Sequence, residues 1–326
     1  MLVTKTPLRI SFVGGGSDIK NFYKENQGAV VTASIDKYVY LTINKKFGDD
    51  IRVSYSKTEI AKEVNDIEHP IVRESLKECG IDKSIEISSL ADVPGKGTGL
   101  GSSSAFTVGL LKGLYAYLGN TPSNEYLAEK ACEIEIDKCK EPIGKQDQYG
   151  TAIGGIKELR FMSDGRVNIE QYSLSEKRIS LFKENLLMLY TGKTRSTSKI
   201  LAAQSKILCE DKLKRNVMTE MVNLVKNFKK ELISGEINNL GEILHENWIR
   251  KRSITDKISN TWIDDAYQTA LNNGASGGKI LGAGNGGFFL FFAHPSKHKN
   301  IVEHLPKMNK FDFSFDKIGS QVVYSD

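Results

Sequence analysis

Cysteine and tryptophan are scarce in this chain, with four cysteines (Cys79, Cys132, Cys139 and Cys209) and two tryptophans among 326 residues. The cysteines form no C-x-x-C pair and no zinc spacing, which excludes a zinc ribbon or a disulfide-built scaffold. Such use fits a reducing, cytoplasmic setting. No apolar run reaches the ~18 residues of a membrane span, so no transmembrane helix and no membrane partner are expected. The N-terminus alternates and then turns to glycine, unlike a secretory signal. The five histidines contain no H-E-x-x-H, and His294, His298 and His304 read as the solvated surface of a polar helix. Excess charge of one sign is also missing. Lys and Arg number 45 against 40 Asp and Glu, a net charge of +5 that is scattered along the chain. Nucleic-acid binding calls for a clustered basic face, so a small anionic ligand fits better. The length admits two domains, with no repeat and no low-complexity linker between them.

Glycine, by contrast, is abundant, and it falls in clusters. The chief one is Pro94-Gly95-Lys96-Gly97-Thr98-Gly99-Leu100-Gly101-Ser102-Ser103-Ser104. Its four alternating glycines can take positive φ and lie close against a ligand. A helical pattern follows at once, with Phe106, Leu110, Leu114 and Leu118 at i+4 and Gly119 where a C-terminal cap would sit. A glycine loop feeding a helix N-terminus offers unpaired N–H donors and the positive dipole end, an arrangement that binds phosphate. No Walker spacing and no G-x-G-x-x-G can be written here. The bland alternative is a flexible turn before an ordinary helix.

Along the chain, Leu2–Val13 reads as a strand broken at Pro7, carrying Arg9 and running into Gly14-Gly15-Gly16-Ser17-Asp18. Asp18 is either a turn residue or a carboxylate brought close to ligand hydroxyls. Residues 29–34, 38–44, 51–56 and 85–89 alternate as strands. Residues 60–79 read as a helix, ending at Gly80. A helix opens at Thr121-Pro122 and runs to about Lys140. On it, Glu135 shares a stripe with Ala128, Ala131, Cys132 and Cys139. A carboxylate there is costly unless it is paired, bound to a cation, or able to snorkel to water. Pro142-Ile143-Gly144-Lys145-Gln146-Asp147-Gln148-Tyr149-Gly150 reads as a constrained loop, in which Asp147 either caps a turn or serves as a base. Residues 186–190 form a strand entering Thr191-Gly192-Lys193-Thr194-Arg195-Ser196. Lys193, Thr194 and Arg195 there suggest a second anion site. Three helices are expected between residues 198 and 273, the middle one carrying Trp248. Last, Gly282-Ala283-Gly284-Asn285-Gly286-Gly287 precedes a run of phenylalanines. It reads as a tight strand–strand connection rather than a dinucleotide loop. Strands followed by strand–loop–helix units make the fold class α+β.

Together and in this order, the glycine motifs resemble those of the GHMP kinases. Motif one is Pro7-Leu8-Arg9 through Gly16-Ser17-Asp18, motif two is Pro94–Ser104, and motif three is Gly282–Gly287. The resemblance spans nearly the whole chain, and motif two is its most specific part. It implies a two-domain GHMP kinase fold. The N-terminal domain (1–175) would be like the second domain of ribosomal protein S5, and the C-terminal domain (176–326) ferredoxin-like. It also implies ATP and Mg²⁺, with ATP along residues 94–104. By position, Asp147 matches the family's catalytic aspartate and Arg9 its motif-one basic residue. Ser103 and Glu135 match its Mg²⁺ ligands.

The segments 14–18, 142–149 and 191–196, with Trp248 followed by Lys251, look most like the members that phosphorylate the anomeric hydroxyl of a heptose 7-phosphate. The acceptor site implied is Gly15, Gly16, Ser17, Asp18 and Gln146, Lys193, Thr194 and Arg195 for the phosphate, and Gly284, Asn285 and Gly286. The missing Glu-His pair in motif one argues against galactose, and Asn285 stands where glycine is common. The alternatives are an anomeric kinase of a free sugar such as fucose, and a sensor that binds ATP and sugar without turnover. Monomer and homodimer both remain open.

Overall fold

A computed structural model describes residues 1–326 apart from Lys96 and residues 194–196, and apart from the side chain of residue 197. Its strands are β1 (Leu2–Val13), β2 (Gly28–Lys45), β3 (Ile51–Ser54), β4 (Thr58–Ala61), β5 (Ile85–Ala91), β6 (Ile156–Phe161) and β7 (Val167–Gln171), then β8 (Leu186–Tyr190), β9 (Ala275–Ile280), β10 (Phe288–Ala293), β11 (Asn309–Lys310) and β12 (Gln321–Ser325). Its helices are α1 (Lys20–Tyr23), α2 (Pro70–Glu78), α3 (Ser102–Tyr117), α4 (Asn124–Cys132), α5 (Gln146–Ala152) and α6 (Glu176–Glu184), then α7 (Thr197–Glu210), α8 (Lys212–Ile233), α9 (Asn239–Ile254), α10 (Thr261–Asn272) and α11 (Pro295–His304). Among the described residues no helix is long and apolar enough to cross a membrane.

The first sheet runs β12-β1-β2-β5-β3-β4, with β6 and β7 added on the far half of β2. Among the described residues only β3 and β5 pair in parallel. The expected break at Pro7 is a register shift between Pro7 and Leu8 within one continuous strand. Proline cannot donate to the ladder, so the pairing slips there. The two strands expected in 29–44 are one, β2, long enough to pair with β5 at one end and β6 at the other. The division expected between residues 175 and 176 falls just before α6, but β12 does not stay with the second half. It pairs along β1 and covers what would otherwise be an open edge.

In the second sheet, β11-β8-β10-β9, the central strands β8 and β10 are buried on both faces. Its phenylalanines alternate with period two. Phe288, Leu290 and Phe292 join Leu186 and Met188 in the core of the first sheet, and Phe289 and Phe291 join Leu187 and Leu189 in a second core under α7–α10. Phe12 of β1 stacks on Phe228 of α8 at 5.4 Å. The two sheets therefore share one continuous apolar layer.

Four local expectations are corrected. Residues 60–79 are not one helix. Thr58–Ala61 pairs with β3, and α2 starts only at Pro70, where the ring suits the first helical turn. The helix expected from Thr121 is capped instead by Ser123, whose hydroxyl accepts from Tyr126 N–H at 3.2 Å. Four helices fill residues 197–272 rather than three. Asp211 ends one and caps the next, accepting from the N–H groups of Leu213 and Lys214. Among the histidines, His294 and His304 lie at the surface, but His298 is half-buried against the Ala293 carbonyl.

Candidate active site

Motif two forms a loop whose Gly97, Gly99 and Gly101 all have positive φ. Gly101 caps α3 in the left-handed conformation without a side-chain bond, so the chain turns straight from loop to helix. At Gly99 no side chain fits, because a Cβ would overlap the Leu281 carbonyl at the edge of motif three. Leu100 is buried, and its carbonyl accepts from Arg9 N–H at 2.9 Å. Thr98 and Ser102 are also buried and bond to each other at 3.3 Å. Pro94, Gly95 and Ser103 are exposed. Lys96 lies outside the described residues.

Asp147 is not on a loop, as expected, but in the first turn of α5. Arg9 Nε and Nη2 both donate to its Oδ1, at 2.9 and 2.7 Å, while Arg9 Nη1 donates to the Gly99 carbonyl at 2.6 Å. The Arg9 side chain is only 3% exposed, against 35% for Asp147. One guanidinium thus ties the acidic residue of α5 to the glycine loop. Gly150, one helical turn beyond Asp147, leaves room for the Arg9 stem.

The residue after Asp147 on α5 reaches the other half of the site. Gln148 Nε2 donates to Glu135 Oε2, which also accepts from Ser104 Oγ at 2.7 Å. Glu135 Oε1 accepts from Ser103 Oγ at 3.0 Å and Thr107 Oγ1 at 2.9 Å. Glu135 is wholly buried, and burial raises its pKa against these four hydrogen bonds, which lower it. Among the described residues no Lys, Arg or His pairs with it. The expected α-helical stripe is also modified, since residues 133–138 form a π-helix, with Cys139 N–H bonding to the Ile134 carbonyl. Such widened turns recur at functional sites. A buried carboxylate with only neutral donors, beside an exposed serine hydroxyl and a phosphate-type loop, suits a hard oxygen-seeking cation.

On the other side of Arg9 lies a cleft lined by Arg9, Asp18, Gln146, Asp147, Lys251 and Lys279, with Gly15, Gly16, Gly282 and Ala283 among its walls. Asp18 Oδ1 accepts from Gly16 N–H at 3.0 Å, and Oδ2 from Gln146 N–H at 3.1 Å. Gly144 has no space for a Cβ beside this carboxylate. Burial, and then the charge of Asp147, raise the Asp18 pKa. Gln146 Oε1 accepts from Ser11 Oγ at 3.2 Å.

Other expected acceptor residues lie elsewhere. The Ser17 hydroxyl is buried, donating to the Ala29 carbonyl at 3.0 Å and accepting from Ala29 N–H at 3.1 Å, which makes it a staple between turn and β2. Lys193 Nζ sits 4.4 Å from the Trp262 ring centre, and Lys193 is not in the cleft wall. Thr194 and Arg195 lie outside the described residues. In motif three the cleft meets Gly282 and Ala283, not Gly284, Asn285 and Gly286. Asn285 takes φ +60 and its N–H donates to the Ile258 carbonyl at 2.7 Å. A Cβ on Gly284 would overlap that same carbonyl.

Two lysines were missed as site residues. Lys251 Nζ donates to the Gly15 carbonyl at 2.8 Å and to Gln204 Oε1 at 3.1 Å. Burial pulls its pKa down to about 8, opposed by Asp18. Lys279 Nζ donates to the Phe12 carbonyl at 3.1 Å. Burial, Lys251 and Arg9 push its pKa well below the ordinary value. A lysine within the otherwise small and apolar strand Ala275–Ile280 was the available signal for the second.

A fold of this kind, with a glycine loop, a paired aspartate and a third glycine turn at one seam, defines a GHMP kinase. The family model for the GHMP kinases N terminal domain matches residues 69–155, and that for the GHMP kinases C terminal domain matches residues 225–310. The chain belongs to the GHMP kinase family, and it is a kinase. It is 32% identical over 335 residues to the D-glycero-alpha-D-manno-heptose 7-phosphate kinase of Campylobacter jejuni, covering 97% of both chains. It is 28% identical to the bifunctional fucokinase/GDP-fucose pyrophosphorylase of Arabidopsis thaliana, over 94% of this chain and 31% of that protein. Among solved structures, a D-glycero-D-manno-heptose 1-phosphate kinase from Bacteroides thetaiotaomicron superposes with a TM-score of 0.81 over the full length of both chains, at 23% identity.

Proposed function

We propose that this sugar kinase transfers the γ-phosphoryl group of ATP to the anomeric hydroxyl of D-glycero-D-manno-heptose 7-phosphate. The products would be ADP and heptose 1,7-bisphosphate, used for nucleotide-activated heptose and surface polysaccharide. The observation that carries the reading is the Arg9 bridge between the Asp147 carboxylate and the Gly99 carbonyl of the glycine loop. The 32% identical relative supports the choice of acceptor. The four free cysteines fit a cytoplasmic enzyme.

The roles follow from position and charge. The loop 94–104 and the N-terminus of α3 hold the triphosphate through backbone N–H groups. Ser103 and Glu135 would hold Mg²⁺, which neutralises charge on the transferring phosphoryl group. Asp18 holds sugar hydroxyls, with Gln146 beside it. Asp147 Oδ2 accepts the anomeric proton as the hydroxyl oxygen forms its bond to the γ-phosphorus and the bond from that phosphorus to the β-phosphate oxygen breaks. Arg9 fixes the carboxylate and places positive charge where negative charge develops.

The test is a substrate panel of heptose 7-phosphate, free heptose, fucose, galactose and mevalonate, offered with ATP and Mg²⁺, the products being identified by ³¹P NMR. An anomeric phosphate on heptose 7-phosphate with the highest kcat/KM is the expected result. Preference for a free sugar would replace this acceptor, and ATP binding without turnover would make the protein a sensor.

A further inference from the structure

The roles above leave two buried ammonium groups of the cleft without a task. Lys251 comes from α9 and Lys279 from β9. Neither completes its hydrogen bonding. Lys251 spends two of its three protons, on Gly15 and Gln204, and Lys279 spends one, on Phe12. Three N–H groups therefore have no partner among the described residues. A fourth lies close by, since Gln204 Nε2 is buried and has no acceptor. A side chain on Gly16 would overlap that amide and come within 2.8 Å of Lys251 Nζ, so the glycine keeps this corner open.

The charges do not balance either. With both lysines protonated, Arg9, Lys251 and Lys279 face Asp18 and Asp147, three positive groups against two negative ones. Arg9 and Asp147 neutralise each other at 2.7 Å, which leaves Asp18 to offset two lysines. Buried donors without acceptors and a buried surplus of positive charge both cost free energy. An anion relieves both costs at once.

We propose that Lys251 and Lys279, with the Gln204 amide, form the subsite for the phosphate monoester that the acceptor sugar already carries. The proposal rests on the reading of the acceptor as a phosphorylated sugar. It moves the phosphate handle from Lys193, which lies on Trp262 outside the cleft, to the wall shared with Asp18. Gripping the remote phosphate there lets its binding free energy orient the anomeric hydroxyl.

Methionine matches the lysine stem and brings no charge, so Lys251→Met and Lys279→Met test the subsite, with Lys251→Arg as the charge-keeping variant. The readout is the ratio of kcat/KM for heptose 7-phosphate to kcat/KM for unphosphorylated heptose. Each methionine variant is expected to lower that ratio at least ~30-fold, the scale of lost charge-assisted hydrogen bonds, and Lys251→Arg to restore part of it. An unchanged ratio overturns the proposal, as does an equal fall produced by Lys193→Met.

A second measurement uses the wild-type protein with its nucleotide site filled by a non-hydrolysable ATP analogue and Mg²⁺. Inorganic phosphate should bind, with proton uptake near pH 8 as Lys251 becomes fully charged. Absence of phosphate binding overturns the subsite. Phosphate binding in a protein that prefers unphosphorylated sugars would leave the subsite standing and overturn the choice of acceptor.

Discussion

Arg9 and Asp147 lie 138 residues apart in the chain, yet two nitrogens of Arg9 converge on one oxygen of Asp147, Oδ1. The second oxygen, Oδ2, makes no hydrogen bond among the described residues. One oxygen is thus spent on position and the other is left to take a proton. Asp147→Asn keeps an oxygen for Arg9 but presents no basic carboxylate. It should lower kcat at least ~10²-fold, the usual scale for a general base, with KM for ATP nearly unchanged. Steady-state kinetics at saturating ATP check this, and wild-type turnover in the variant would remove Asp147 from the reaction.

Glu135 makes a different prediction, because its charge has no ion-pair partner among the described residues. Glu135→Gln retains an oxygen for the surrounding donors and removes the buried charge that burial already disfavours. The Mg²⁺ concentration giving half-maximal activity should rise at least ~10-fold, since a hard cation prefers an anionic oxygen. The unfolding free energy in metal-free buffer should not fall by more than ~1 kcal/mol, because an unpaired buried charge is itself a cost. A metal titration that superposes on wild type would leave Glu135 with a purely structural role.

Much of this site was legible in the sequence because its parts are short and local. The glycines of motif two mark backbone that must turn left-handed, and three of them do. Glu135 stood out as a carboxylate on an apolar stripe, and Arg9, Asp18 and Asp147 stood out by their places in a strand, a glycine turn and a constrained loop that match the family's motifs. Relations that depend on long-range packing did not show. The helix around Asp147 is two short turns held by Arg9 and by contacts under it, and nothing in Gln146-Asp147-Gln148 alone demands a helix. The π-turn at residues 133–138 shifts the face of Glu135 by an amount that a 3.6-residue period cannot anticipate. Lys251 and Lys279 become site residues only when the second sheet docks on β1. A lysine on a helix reads as solvated until its neighbours are known.

Gly99 should be less replaceable than its neighbour Gly95, although both belong to the same loop. At Gly99, φ is +80 and a Cβ would overlap the Leu281 carbonyl. Gly95 has nothing within 4 Å of an added Cβ. The left-handed conformation alone costs alanine ~1–2 kcal/mol, and the overlap adds to it by parting motif two from motif three. Gly99→Ala should therefore lose ~2 kcal/mol or more in urea unfolding and weaken ATP binding. Gly95→Ala should stay within ~0.5 kcal/mol of wild type in stability. Equal losses would mean that the contact between the two glycine turns is not what fixes the loop.

Lys157 carries the prediction about pH. It is wholly buried in β6, and its ammonium donates to Ser34 Oγ at 3.1 Å and to the carbonyls of Gly150 at 3.2 Å, Gly155 at 3.3 Å and Ile153. Two of those carbonyls end α5, so the group ties down the far end of the helix that presents Asp147. Burial lowers its pKa from 10.5 to about 7, opposed by Asp316. Between these values the unfolded chain holds a proton that the native chain has given up. Stability should therefore rise with pH from about 7 towards 10.5 and be lost again as pH falls through 7, with a slope approaching ~1.4 kcal/mol per pH unit from this group. Lys251 and Lys279 tilt the wild-type curve in the same direction, so the measurable quantity is the difference between two proteins. Lys157→Met removes the hydrogen bonds to these four oxygens, which lowers the whole curve by a constant, and it removes one titration, which flattens the curve. Urea unfolding of both proteins from pH 7.5 to 9.5, without ligand, separates the two effects. Parallel curves would mean that the four oxygens hold the ammonium charged throughout that range, and the lysine would then be a fixed cation at the foot of α5.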